Sequence, residues 1–204
     1  GAVPKKIKED VNFNLNIEHL IDQTNDATKV IYIASPNNPT GTYLSRDQLV
    51  KLMNSISKNI IVVIDGAYVE YVQKDDYDKG FSLTDEYENI ILTRTFSKTY
   101  GLAALRVGWC YTSQKIADII NKIKPPFNTT TISQSLAIKA LEDKEHIENS
   151  VKLNSEIKDW FEKELKLLNI KTIQTEGNFT LIETSEEEAE KISNHLMNDG
   201  IIIR

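Results

Sequence analysis

Four groups of polar residues stand in order along the chain, each at or beside the end of an apolar run. They are Ser35-Pro36-Asn37-Asn38-Pro39-Thr40-Gly41, Asp65-Gly66-Ala67-Tyr68, Thr95-Phe96-Ser97-Lys98, and Arg106. Asn38-Pro39-Thr40-Gly41 reads either as a plain turn or as a loop that points the Asn38 amide from a strand end into a site. Asp65, directly after an apolar run, either caps the next turn or supplies a partly buried carboxylate able to keep a heterocyclic nitrogen protonated. Lys98 taken alone is one of 24 basic residues, and such a lysine is ordinarily solvated. Its setting offers a second reading. Thr95 and Ser97 precede it, and Tyr100-Gly101-Leu102-Ala103-Ala104-Leu105-Arg106 follows, a small-residue stretch through which backbone can approach a ligand. Hydroxyls and an arginine around one lysine make a cradle for phosphate.

The elements that must position these groups are legible from pattern. Residues 29–34, 60–64 and 89–94 are short, β-branched runs bounded by turn formers and read as strands buried on both faces. Ser45 and Gln48 have capping-box spacing, with Leu44 and Leu49 placed as a hydrophobic staple, so a helix is expected over about 46–57. Strand, helix, strand at this spacing is a βαβ unit, which implies an α/β fold with a mostly parallel sheet and flanking helices. Function then gathers at the carboxyl ends of the strands. A further strand at about 105–112 and helices near 114–123 and 131–142 complete this part, with Pro125-Pro126 between the helices.

From Glu145 to Leu168, Ile147, Val151, Ile157, Trp160, Phe161, Leu165 and Leu168 recur at helical spacing and predict one long amphipathic helix. Strands at about 170–174 and 178–183, a helix opened by the capping box Ser185 to Glu188, and a last strand over 200–204 suggest a smaller α+β unit. The division is expected at residues 1–146 and 147–204.

Composition narrows the classes. A hydrophobic share of 40% and a charged share of 26% are ordinary for a folded soluble protein. The net charge of −6 argues against nucleic acid as the main partner, since phosphate-backbone binding needs a clustered positive surface. No apolar stretch approaches the roughly 20 residues that cross a bilayer, and Gly1-Ala2-Val3-Pro4-Lys5-Lys6 lacks a signal-peptide core, so a cytoplasmic protein without membrane contact is expected. The single cysteine, Cys110, sits between Trp109 and Tyr111 and reads as a buried thiol. His19, His146 and His195 show no metal-ligand spacing, and the run Lys74 to Lys79 reads as a solvated loop. A start without methionine and an end at Ile201-Ile202-Ile203-Arg204 suggest a piece of a longer protein.

Asn38-Pro39-Thr40-Gly41, Asp65-x-Ala67-Tyr68, and Ser97-Lys98 with Arg106 eight residues on together resemble the fold-type I aminotransferases of classes I and II. Within these, Pro36 to Gly41, Arg94 to Ala103 and Leu105-Arg106-Val107-Gly108 look most like the histidinol-phosphate aminotransferases. The resemblance spans about residue 29 to Arg204. It implies pyridoxal 5'-phosphate as cofactor, held in a Schiff base by Lys98, which then serves as general base and acid. It implies Asp65 against the pyridinium nitrogen, Asn38 and Tyr68 on the phenolic oxygen, and Thr95, Ser97 and Arg106 on the phosphate. Arg204 matches an arginine that contacts the substrate's phosphate.

The implied reaction is amino transfer from histidinol phosphate to 2-oxoglutarate, in a homodimer with sites shared between subunits. A decarboxylase resembling threonine-phosphate decarboxylase, a transaminase of aromatic or aspartate-like amino acids, and a non-catalytic effector domain of a transcription regulator share the retained motifs. Two departures stand out. Gly66 replaces the family's usual glutamate, which is expected to alter local positioning and leave the chemistry intact. The family's upstream segment with its phosphate-binding helix and stacking aromatic is missing, as is the downstream arginine that reads the α-carboxylate, so the chain alone is expected to be weakly active or inactive.

Overall fold

The computed structural model describes residues 1–203. Its three β-branched runs form β1 (Val30–Ala34), β2 (Ile61–Asp65) and β3 (Ile90–Thr95), which lie side by side in that order and run parallel. A fourth strand, β4 (Gly108–Thr112), pairs antiparallel with β3, Thr95 opposite Gly108 and Thr93 opposite Cys110. Parallel pairing needs a crossover. Accordingly α1 (Ile17–Asp22) precedes β1, α2 (Arg46–Ser55) links β1 to β2, and α3 (Phe81–Glu86) links β2 to β3. The mostly parallel sheet with flanking helices is the α/β class expected.

The strand period of two sends Ile31, Ile33, Val62, Ile64, Ile90 and Leu92 to one face, where they meet Leu49, Leu52 and Met53 of α2. The predicted capping box opens α2: the Ser45 hydroxyl accepts from Gln48 N, and Ser45 N donates to the Gln48 side chain at 2.9 Å. Leu92 is fully shielded at the centre of this core. Leu92→Ala is expected to lower unfolding free energy by about 2–5 kcal/mol, read as a lower urea midpoint at unchanged m.

The second face differs from expectation. Val30 is 57% and Tyr32 63% exposed, so β1 is buried on one side only. The reason lies in the helices: α1, α2 and α3 all deliver their apolar residues, among them Leu20, Leu52 and Leu83, to the same core. Cys110, opposite Thr93, is exposed rather than buried. β4 also starts later than the 105–112 run, because Ala103–Leu105 make a 3-10 turn and Arg106 adopts a left-handed φ of 50°, which breaks strand pairing.

Beyond the sheet lie α4 (Gln114–Ile123), α5 (Thr131–Glu142) and α6 (Lys144–Leu167). The helical stripe of α6 is present, but only Leu165 is buried; Ile157 and Trp160 are exposed. Asn169, at φ 58°, ends the helix in a Schellman turn, with Ile170 N on Leu165 O and Asn169 N on Lys166 O, both at 3.0 Å. Then β5 (Lys171–Ile173) and β6 (Leu181–Glu183), shorter than their apolar runs, pair antiparallel, and α7 (Glu186–Asn198) opens on the Ser185–Glu188 capping box.

The strand expected over 200–204 does not form. Gly200, at φ 80°, closes α7 with Ile201 N bonded to Leu196 O at 2.8 Å, and residues 201–203 join no sheet. Arg204 lies outside the described residues. Among those described, no helix is long and apolar enough to cross a membrane.

Candidate active site

All of the described sequence-predicted groups sit at or just beyond the carboxyl ends of β1, β2 and β3. After β1, the loop Ser35–Gly41 is folded on itself by Gly41 N to Asn37 O at 2.7 Å and Asn37 N to Thr42 O at 2.8 Å. Ser35 N extends the sheet by donating to Asp65 O at 2.9 Å, which aligns this loop with the end of β2. The result is a bond across the two loops: Asn38 Nδ2 donates to the Tyr68 hydroxyl at 2.8 Å. Lys98 Nζ lies 5.1 Å from the centre of the Tyr68 ring. Asn38, Tyr68 and Lys98, separated by up to 60 positions in sequence, therefore converge.

The turn carrying Lys98 is held from several sides. Phe96 is buried against Val107 and Ala137, Leu102 N returns to Phe96 O at 2.9 Å, and Gly101 N caps Lys98 O at 2.9 Å. Ser133 of α5 donates to Leu105 O at 2.8 Å, and the His146 ring lies 3.1 Å from Thr99 O. Within this frame Ser97 N donates to Thr95 Oγ1 at 3.1 Å, and Arg106 Nη1 donates to Ala103 O at 2.8 Å while reaching Ser97 Oγ at 3.5 Å. Two hydroxyls and an exposed guanidinium thus form a second group beside the lysine. The left-handed backbone at Arg106 is what turns its side chain back along this loop.

Asp65 is partly buried and is engaged by a residue that motif reading missed: the Tyr32 hydroxyl donates to Asp65 Oδ2 at 2.5 Å. Partial burial, and then that bond and the carboxylate's charge, push the Tyr32 phenol up to about 12. The signal was present in the alternation of β1, where Tyr32 shares a face with Ala34, the partner of Asp65.

Gly66 acquires a physical reason. A Cβ there would lie 2.2 Å from Arg94 Nη1 and 2.5 Å from Val69 Cγ1. Arg94 is buried, donates to Thr93 O at 2.8 Å and to Lys79 O, and lies 5.7 Å from the Phe81 ring centre. Burial holds its guanidinium below the ordinary value, against the opposing charges of Tyr77, Glu70 and Asp65. The run Lys74 to Lys79 is anchored rather than wholly solvated, because Tyr77 donates to Ser35 O at 2.9 Å.

The C-terminal segment also reaches the site. Glu176 N donates to Gly41 O at 2.8 Å, Glu176 pairs with Lys74 at 3.4 Å, and Phe179 meets the Tyr68 ring edge-on at 5.2 Å. Nothing in the spacing of residues 175–179 announced these contacts.

This order of groups and this sheet recur in known proteins. The family model described as aminotransferase class I and II matches residues 1–204. The histidinol-phosphate aminotransferase of Pelagibacter ubique is 42% identical over 195 residues, covering 95% of this chain and 54% of that protein. A histidinol-phosphate aminotransferase structure from Sinorhizobium meliloti, in complex with pyridoxal-5'-phosphate, superposes with a TM-score of 0.88 at 26% identity, over 96% of this chain and 54% of that one. The chain spans about half the length of the curated relatives it matches. With the family's sequence pattern matched from the first residue to the last, and its fold reproduced around the same strand ends, the chain belongs to the class I and II aminotransferases.

Proposed function

We propose that this chain is the cofactor-holding part of a pyridoxal-phosphate-dependent aminotransferase whose parent moves an amino group from L-histidinol phosphate to 2-oxoglutarate. The observation that carries the reading is the convergence of Lys98 Nζ, the Tyr68 ring and the Asn38 amide. The donor set fits the cofactor group by group. Lys98 offers an amine to its aldehyde, and Asp65 a carboxylate to its ring nitrogen. Asn38 and Tyr68 offer donors to its phenolic oxygen, and Thr95, Ser97 and Arg106 hydroxyls and a guanidinium to its phosphate.

When bound, the cofactor supplies an electron sink for charge developing at the substrate α-carbon. Asp65 would hold the proton on the ring nitrogen and so keep that sink effective. Asn38 donates to Tyr68 oxygen, which leaves the Tyr68 hydrogen free to point at the cofactor's phenolic oxygen. Arg106 would offer phosphate a planar fork that lysine cannot reproduce. Lys98 Nζ would take the proton from the substrate α-carbon and return it on the other side of the transfer. Arg204 is assigned to the substrate's phosphate on the sequence resemblance.

The parent is read as a cytoplasmic homodimer, and the division between its two units is placed at residues 146 and 147; the motifs and the similarity to the histidinol-phosphate enzymes support these assignments. The test is the parent, expressed from its full coding sequence, with both substrates. Glutamate formation is the expected result. Carbon dioxide release from threonine phosphate without glutamate would replace the reading by a decarboxylase, and absence of both would leave a non-catalytic domain.

A further inference from the structure

Tyr32 reaches Asp65 diagonally across neighbouring strands. The register sets Ala34 opposite Asp65, so Tyr32 stands two residues back on the same sheet face. Its hydroxyl donates to Oδ2 at 2.5 Å, a short charge-assisted bond. Among the described residues the Asp65 side chain takes no other hydrogen bond, which leaves Oδ1 open. The other charged neighbour, Arg94, feels the carboxylate's charge but spends its own donors on Thr93 O and Lys79 O. Orientation of the carboxylate therefore rests with Tyr32. With its pKa pushed up to about 12, the phenol stays a donor through the neutral range.

We propose that Tyr32 is a positioning residue for the cofactor, pinning one oxygen of Asp65 so that the other faces the ring nitrogen. A carboxylate rotates readily about its last bond, and an ion pair that must point at one ring atom gains from having the second oxygen fixed. The inference rests on the cofactor reading above, and it asks nothing of Lys98.

The experiment titrates the 204-residue chain with pyridoxal phosphate and with its deaza analogue, which carries C–H in place of the ring nitrogen. Binding is followed by cofactor absorbance, for the unaltered chain and for Tyr32→Phe. Tyr32→Phe is expected to weaken pyridoxal phosphate by about three- to tenfold, the worth of one hydrogen bond, and to leave the analogue unchanged. The Asp65→Asn/Tyr32→Phe double variant is expected to bind no more weakly than Asp65→Asn alone, since the two residues act as one unit. Equal weakening of both ligands would make Tyr32 merely structural and overturn the inference. So would an unchanged affinity for pyridoxal phosphate. If the unaltered chain bound neither ligand, the cofactor reading itself would fall, and the inference with it.

Discussion

Lys98→Ala is expected to abolish the visible, borohydride-reducible adduct that forms when the chain is mixed with pyridoxal phosphate, and to leave the fold unchanged. Lys98 is exposed, and among the described residues it is in no ion pair. Its nearest described partner is the Tyr68 face, an exposed cation–π contact that contributes roughly 0.5–1 kcal/mol. Removing the side chain therefore costs little stability and the whole covalent attachment. In the parent, loss of the general base alone is expected to slow turnover by about 10²–10⁴-fold, with loss of attachment adding to it. Lys98→Arg separates charge from chemistry: it keeps the cation and is expected to lose the reducible adduct equally. A reducible adduct persisting in Lys98→Ala would remove Lys98 from this role.

The second large effect is expected at Gly41. Its φ of +67° is left-handed, and a Cβ built there would stand 2.2 Å from Thr175 Cβ and 2.4 Å from Thr175 Cα. The backbone on both sides is tied down, by Gly41 N to Asn37 O, by Glu176 N to Gly41 O, and by Lys158 reaching Thr175 O. Gly41→Ala must therefore bear the left-handed strain of about 1–2 kcal/mol and also push the 175–179 segment off the Asn38 loop. A total loss of about 3 kcal/mol or more is expected, a fall in Tm of roughly 6–12 °C for a chain of this size. Gly200→Ala is the control. Its φ is +80° with nothing within 4 Å of the added carbon, so it bears strain alone. If the two variants melted within about 1 °C of each other, the overlap with Thr175 would not be what holds glycine at position 41. Protease cleavage between residues 174 and 179 is expected in Gly41→Ala only.

Much of the arrangement was legible because it is local or periodic. The β-branched runs announce the three parallel strands, and Ser45–Gln48 and Ser185–Glu188 announce two helix starts. Asn38, Asp65, Tyr68, Lys98 and Arg106 were visible as types at strand ends, and the parallel order of β1, β2 and β3 then brings those ends to one edge. What escaped was set by pairing across strands or by chain direction. Tyr32 meets Asp65 only once the register is known. Arg94 fills the space above Gly66 from a neighbouring strand, and no spacing within either segment encodes that. The late start of β4 turns on one left-handed residue, Arg106, at a position where sequence pattern alone reads continuous strand. Phe179 and Glu176 come from more than 100 positions away to touch Tyr68 and Gly41.

The exposed thiol of Cys110 has a practical use. It is the chain's single cysteine, and it stands opposite Thr93 on the side of the sheet away from the main core, the side that Tyr32 also occupies. A maleimide or spin label will therefore attach at one known point beside the Tyr32–Asp65 pair, with no background substitutions needed. Its labelling rate, compared between the isolated chain and the parent, becomes a direct gauge of how far that side of the sheet is covered.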